Sequence, residues 1–172
     1  MSPALGLAHL LVVECEVVCT VAREAVTGYM VDVLGTITIR DLHDSERPWA
    51  NAQYRAIRFA ATPPGAIALV AERGGARVGL GRLVTHAPGV LELGGIWTDE
   101  AARGHGVART MVAALLGRLV SPKVWCIPFT YLAAFYQSFG FTPSVAPWPP
   151  AIAAKVADCA MHALPQVVVL VR

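Results

Sequence analysis

A chain of 172 residues is long enough for one domain with a substantial core, and at 55% hydrophobic and 15% charged it is no disordered segment. A net charge of +2, without any run of like charges, leaves no basic patch for nucleic acid. The early apolar run from Ala4 to Val13 is broken by His9, is too short to cross a bilayer as a helix and lacks the basic start of a secretory leader. The expectation is a cytoplasmic protein with neither nucleic acid nor membrane as a partner.

Residues 1–35 read as an N-terminal apolar extension of uncertain structure, and residues 36–172 as the main domain. Met30 stands just before the first clear strand pattern, so the extension is either an addition ahead of a natural start at Met30 or an added strand or interface. Thr36 to Arg40 alternates β-branched and other residues, the pattern of a strand. Ser45, followed by Pro48, predicts a helix start, and the helix runs to about Phe59, before Thr62-Pro63-Pro64-Gly65. Ala66 to Glu72, Arg77 to Thr85 and Val90 to Thr98 are three strands joined by turns at Gly74-Gly75 and Pro88-Gly89, an antiparallel meander. From Val107 the period changes: Val107, Met111, Ala114, Leu115 and Leu119 recur at helical spacing until Ser121-Pro122. Lys123 to Ile127 is a short buried strand. Tyr131 to Phe139 is a helix closed by Gly140. Pro143 to Pro150 forms a stiff loop, Ile152 to Met161 a short helix and Val167 to Val171 a last strand. A run of strands followed by alternating helices and strands gives the α/β (α+β) class, a mixed sheet flanked by helices.

Four cysteines carry no zinc pattern. Cys15 and Cys19 are four apart, while Cys126 and Cys159 stand alone. They read as buried or inert thiols, and no metal site is expected.

The most informative stretch joins the third strand to the next helix: Arg103-Gly104-His105-Gly106-Val107-Ala108. A glycine turn that opens a helix presents unpaired N–H groups at the positive end of the helix dipole, which is an anion site. Arg103 and Arg109 add charge beside it. The turn lacks the third glycine of a dinucleotide fingerprint and the Lys-Ser/Thr of a P-loop.

Its form, Arg-x-x-Gly-x-Gly/Ala, resembles the pyrophosphate-binding signature of the GNAT superfamily of N-acetyltransferases. Ile96-Trp97-Thr98 is similar to that family's central strand, and Phe135-Tyr136-Gln137-Ser138-Phe139-Gly140-Phe141 to its Phe-Tyr-x-x-x-Gly-Phe motif. The two motifs lie about thirty residues apart in the family's order. The resemblance covers roughly Thr36 to Phe141. It implies a mostly antiparallel sheet with splayed central strands, acetyl-CoA as cosubstrate, and a small-molecule or peptide amine as acceptor. It also implies a cofactor site at Ile96, Trp97 and Thr98, beside the pantetheine arm, and at Arg103, Gly104, His105, Gly106, Val107, Ala108 and Arg109, around the pyrophosphate. Two positions depart from the family: Glu100 stands where proline is frequent, and Phe129 near a frequent asparagine.

Acetyl transfer to an amine needs a neutral amine, a stabilised oxyanion and a proton for the departing thiolate. By resemblance, Tyr136 is the general acid that faces the thioester sulfur. Glu92 is the candidate general base, placed by strand alternation on one face with Gly94, Ile96 and Thr98. His86 reads as a second candidate base or as a surface histidine. Asp99 and Glu100 read as caps of the following turn, and His105 as pointing outward. Gly94-Gly95 in a central strand indicates either a close ligand or a β-bulge. Trp49, Trp97, Trp125 and Trp148 line an aromatic pocket or fill the core. The alternative function is a non-catalytic acyl-CoA-binding sensor or partner subunit of the same fold. A homodimer is the default assembly.

Overall fold

The computed structural model describes residues 35–119, 123–161 and 166–172. The N-terminal extension, apart from Gly35, and the helix end at Ser121-Pro122 therefore lie outside the described residues, as do Cys15 and Cys19.

The meander forms as its alternation predicts: β1 (Thr38–Asp41), β2 (Ile67–Arg73), β3 (Ala76–Ala87) and β4 (Val90–Thr98) are consecutive antiparallel neighbours. Between β1 and β2 lies α1 (Arg47–Ala56), entered through a 3-10 turn at Asp44–Glu46 with Pro48 in the first helical turn. Arg40 of β1 ties this entry to the sheet, donating to Glu46 Oε2 at 2.7 Å and to Glu72 Oε1 of β2 at 2.6 Å. After β4 come α2 (Val107–Gly117), β5 (Trp125–Cys126), α3 (Ala133–Gln137), β6 (Thr142–Pro143), α4 (Pro150–Met161) and β7 (Leu170–Val171).

Among the described residues these strands make one seven-stranded sheet in the order β1-β2-β3-β4-β5-β7-β6. The β4–β5 pair is parallel, and every other pair is antiparallel. β4 and β5 meet only at Glu92 opposite Trp125. Beyond that pair the strands part, so the expected splay is present.

The larger core lies on the face of the sheet covered by α2 and α3, where Leu83, Leu93, Val107, Met111, Leu115, Tyr136 and Phe141 are buried together. α1 covers the other face through Ala50 and Tyr54 against Val70 and Leu80. α4 packs Ile152 on Trp125 and Val169. α2 sits close because β3 carries no side chain beneath it at two positions. A Cβ on Gly79 would fall 2.6 Å from Val107 Cγ1, and one on Gly81 2.7 Å from Met111 Cγ. Substituting either glycine therefore lifts the helix or strains the sheet.

Late elements differ from expectation: the strand expected over Val167 to Val171 narrows to Leu170–Val171, and the helix expected over Tyr131 to Phe139 is a 3-10 turn at Thr130–Leu132 followed by α3. The stretch read as a loop from Pro143 begins with β6, because Thr142 and Pro143 pair with Val171 and Leu170. Proline is tolerated there because β6 is an edge strand. The strand expected over Lys123–Ile127 narrows to two residues for the same reason that the sheet opens: its β4 partner has departed.

Candidate active site

The glycine turn stands at the N-terminus of α2, and its glycines are required by conformation. Gly104 has φ +77° and Gly106, the helix N-cap, φ +83°. A Cβ at either would meet no protein atom within 4 Å, so the space above the turn is open. The first intrahelical bond runs from Thr110 N to Gly106 O at 3.0 Å, which leaves the N–H groups of Val107, Ala108 and Arg109 ahead of it. These donors border a cleft of about 260 Å³, lined also by Thr98, Arg103 and Phe135. A second depression, about 410 Å³, is lined by Thr36, Ile37, Arg73, Gly104 and His105. An open concavity with N–H donors and a helix dipole fits a pyrophosphate.

The charged side chains there divide. Arg103 is exposed and 4.0 Å from Glu100. Arg109 instead reaches α3, donating to Ser138 Oγ at 3.4 Å over the rings of Phe135 and Phe139. His105 is exposed and turns its Nδ1 back to Arg103 O at 2.8 Å. Asp99 caps as expected, accepting from Ala101 N at 3.0 Å, while Glu100 makes no cap.

Gly94-Gly95 is a β-bulge. β3 Arg82 pairs with Gly94 and Leu80 with Trp97, so Gly81 faces two residues, Gly95 and Ile96. Gly95 has φ +62°, and a Cβ there would come 2.8 Å from the Tyr54 hydroxyl, which itself donates to Gly95 O at 2.8 Å. Only glycine fits.

The extra residue corrects the face assignment of Glu92. Gly94 lies on the Glu92 side, since its Cβ would be 3.0 Å from Glu92 Oε1. Past the bulge the alternation is inverted. Ile96 packs toward Met111 and Leu115 under α2, and Trp97 packs with the α1 cluster. Glu92 and Ile96 therefore face opposite sides, and Thr98 joins the cleft at the turn. Strand alternation alone cannot register an inserted residue.

Tyr136 comes from α3 and is buried at 6% exposure, edge-on to Phe135 and Phe141. Its hydroxyl lies against the Cys126 thiol at the end of β5, and burial pushes the phenol well above its ordinary pKa. Cys126 is raised too, chiefly by burial. Tyr136 thus stands on the β5 side of the splay and stays protonated far into the alkaline range.

Glu92 stands on the β4 side, almost fully buried. His86 Nε2 is hydrogen-bonded to its Oε2 at 2.7 Å, and Lys155 of α4 donates to its Oε1. Arg82, also buried, lies over the rings of Tyr54 and Phe59, and Lys155 over Phe59. Burial lowers the Arg82 guanidinium from its ordinary value and pushes the Tyr54 phenol up to about 12.

Arg82, Lys155 and Tyr54 were not among the expected site residues. A signal existed for two of them: Arg82 is the lone charge in the apolar "VGLGRLV", and Lys155 the lone cation of α4. The four tryptophans do not converge. Trp49 meets Trp97 edge-on, while Trp125 and Trp148 belong to the α4 cluster. Phe129 stacks on Tyr131.

With this geometry in view, comparison with known proteins is decisive at the level of family. The family model described as acetyltransferase (GNAT) matches residues 36–141. The chain belongs to the GNAT acetyltransferase family. Members transfer acyl groups from acyl-CoA, and acetyl-CoA is the family's cosubstrate. Solved GNAT structures share its fold. N-acetylglutamate synthase from Neisseria gonorrhoeae, complexed with coenzyme A and N-acetyl-glutamate, superposes at TM-score 0.63 and 16% identity over 80% of this chain and 35% of that one. Escherichia coli ElaA does so at 0.57 and 19%, over 80% and 99%. An acyl-CoA N-acyltransferase from Pseudomonas aeruginosa does so at 0.58 and 18%, over 80% and 99%. The chain thus spans about a third of the synthase chain and nearly all of the two shorter proteins. No curated protein matches it.

Proposed function

We propose that the protein is an N-acetyltransferase that moves the acetyl group of acetyl-CoA to a primary amine of a small molecule or peptide by direct attack. The observation that carries this reading is the placement of two unlike groups at the opening between β4 and β5, Glu92 on β4 and Tyr136 of α3 against Cys126 of β5. The turn from Arg103 to Ala108 holds the pyrophosphate through backbone N–H groups, and the β4 segment Ile96 to Thr98 borders the pantetheine arm. Bound acetyl-CoA supplies the activated acyl group. The remaining work falls to side chains of the chain itself.

Glu92 takes a proton from the acceptor's ammonium, and the neutral amine then attacks the acetyl carbonyl, forming the amide C–N bond as the C–S bond breaks. His86, a quarter exposed and bonded to Glu92, gives that proton a path to solvent. Tyr136 donates to the departing sulfur. Burial keeps that phenol in its protonated, donating form. The synthase that holds N-acetyl-glutamate shares the fold at 16% identity, which carries the architecture and not the acceptor.

The test is amine-dependent release of free thiol from acetyl-CoA, run over a panel of amines. The proposal expects release above the buffer rate with at least one amine class. Tight acetyl-CoA binding without any release would instead establish the non-catalytic acyl-CoA-binding alternative.

A further inference from the structure

Both oxygens of the Glu92 carboxylate are already engaged. Oε2 is hydrogen-bonded to His86 Nε2 at 2.7 Å, and Oε1 accepts from the Lys155 ammonium. The lysine is brought there by α4, whose Ile152, one helical turn before it, packs on Trp125. Trp125 is also the β5 partner of Glu92, so α4 is seated where β4 and β5 begin to part. The sheet puts no side chain beside this pair: Gly94 is the residue whose Cβ would meet Oε1, at 3.0 Å. On the β5 side, the Cys126 thiol, against which the Tyr136 hydroxyl lies, is within the field of both Glu92 and Lys155. A carboxylate, an amine and a phenol thus gather at one opening, and the amine belongs to the chain itself.

An outside ammonium has to share or displace these partners to reach Glu92, whereas the Lys155 ammonium is in place. Its side chain is 29% exposed, so it is not sealed into the core. Its four-carbon stem is flexible enough to carry Nζ from Oε1 into the opening. We infer that Lys155 is a modification site, acetylated within the same chain from bound acetyl-CoA. The inference rests on the transferase reading and names an acceptor inside the protein. Glu92 takes a proton from the Lys155 ammonium, and the neutral Nζ attacks the acetyl carbonyl. The N–C bond forms as the C–S bond breaks, and Tyr136 donates its proton to the departing sulfur. Of the two protons that the nitrogen gives up, one leaves through Glu92 and the other restores the Tyr136 phenol. The product is a neutral amide, so the event happens once per chain and ends the ionic hold of Lys155 on Glu92.

The test incubates the full chain with acetyl-CoA deuterated in the acetyl group, without added amine, and locates the label by peptide mass mapping. Lys123, the only other lysine of the chain, is exposed, lies over the Trp125 ring and serves as the internal reference. Lys155 is expected to take the label at least about tenfold faster than Lys123, at a rate independent of protein concentration. Tyr136→Phe is expected to slow labelling of Lys155 about a hundredfold and to leave Lys123 unchanged. Lys155→Arg, which keeps the cation, is expected to abolish the single release of thiol that accompanies labelling. An acetyl group already on Lys155 of the isolated protein, and absent from Tyr136→Phe prepared alike, is the same result. Lys155 acetylated no faster than Lys123, a rate that rises with protein concentration, or acetylation that survives Tyr136→Phe would overturn the inference. The amine panel separates this from the transferase reading. Amine-dependent thiol release with Lys155 free of acetyl overturns the inference alone, and the absence of both overturns both. Acetylated Lys155 without turnover of any amine supports the inference and makes Lys155 the acceptor found.

Discussion

The turn at the head of α2 and the cluster around Glu92 solve different problems with different materials. The turn is exposed, local in sequence and built from backbone. Its capacity to hold a phosphate comes from the conformations of Gly104 and Gly106 and from N–H groups that any residue supplies. The Glu92 cluster is buried and assembled from β3, β4 and α4, with a ring from the segment after α1. Its properties belong to specific side chains. The first kind of site tolerates side-chain change and fails on backbone change; the second does the reverse. Two changes bear on the side-chain half of this contrast, and a third lies outside both sites for comparison.

The largest effect is expected at Tyr136. Tyr136→Phe removes one oxygen and keeps a ring packed between Phe135 and Phe141, so stability should change by no more than about 1–2 kcal/mol. Loss of the acid should lower kcat by about a hundredfold or more. Acetyl-CoA affinity should hold, because the turn is untouched. Steady-state kinetics beside calorimetry checks this, and full turnover in the mutant would make Tyr136 a packing residue only.

Glu92→Gln comes next. It leaves Lys155 without its carboxylate partner, so urea denaturation should report a loss of about 1–3 kcal/mol. If Glu92 is the base, the rate loss should also grow toward low pH, where more of the amine is protonated. A rate loss independent of pH would leave Glu92 a structural counter-ion.

The smallest effect lies away from both sites. Arg40 holds the Glu46 carboxyl near 2, down from an ordinary 4.5. A depressed carboxylate contributes stability that is complete above its unfolded value and lost as pH falls through the folded one. Wild type should therefore lose this contribution between about pH 4.5 and 2. Glu46→Gln should flatten that limb by less than about 1 kcal/mol, since Arg40 is partly exposed. Acid titrations of the two proteins, followed by circular dichroism, give the comparison.

The same contrast explains what could be read from the chain. The meander, α2 and the turn were legible because each depends on contiguous residues: alternation in Val90 to Thr98, helical spacing from Val107, glycines at Gly104 and Gly106. The bulge was legible only as an alternative for Gly94-Gly95, and without it Glu92 was placed on the wrong face relative to Ile96 and Thr98. β6 was missed because two residues that end in proline carry no strand pattern of their own; β7 supplies the pairing. Lys155 lies 63 residues from Glu92, and no local period links them. The motifs containing Tyr136 and the turn were found because they resemble a family's signatures, while the neighbours of Glu92 form no contiguous pattern.

The most direct test is calorimetric titration of acetyl-CoA into wild type, Gly106→Val and His105→Ala. Gly106→Val forces a branched side chain into φ +83° and into the open space above the turn. His105→Ala removes an exposed ring that meets only the Arg103 carbonyl. A site made of backbone predicts that Gly106→Val weakens binding at least about tenfold, or roughly 1.4 kcal/mol, with the fold retained, while His105→Ala stays within about twofold of wild type. Unchanged affinity in Gly106→Val, or a larger loss in His105→Ala, would contradict it.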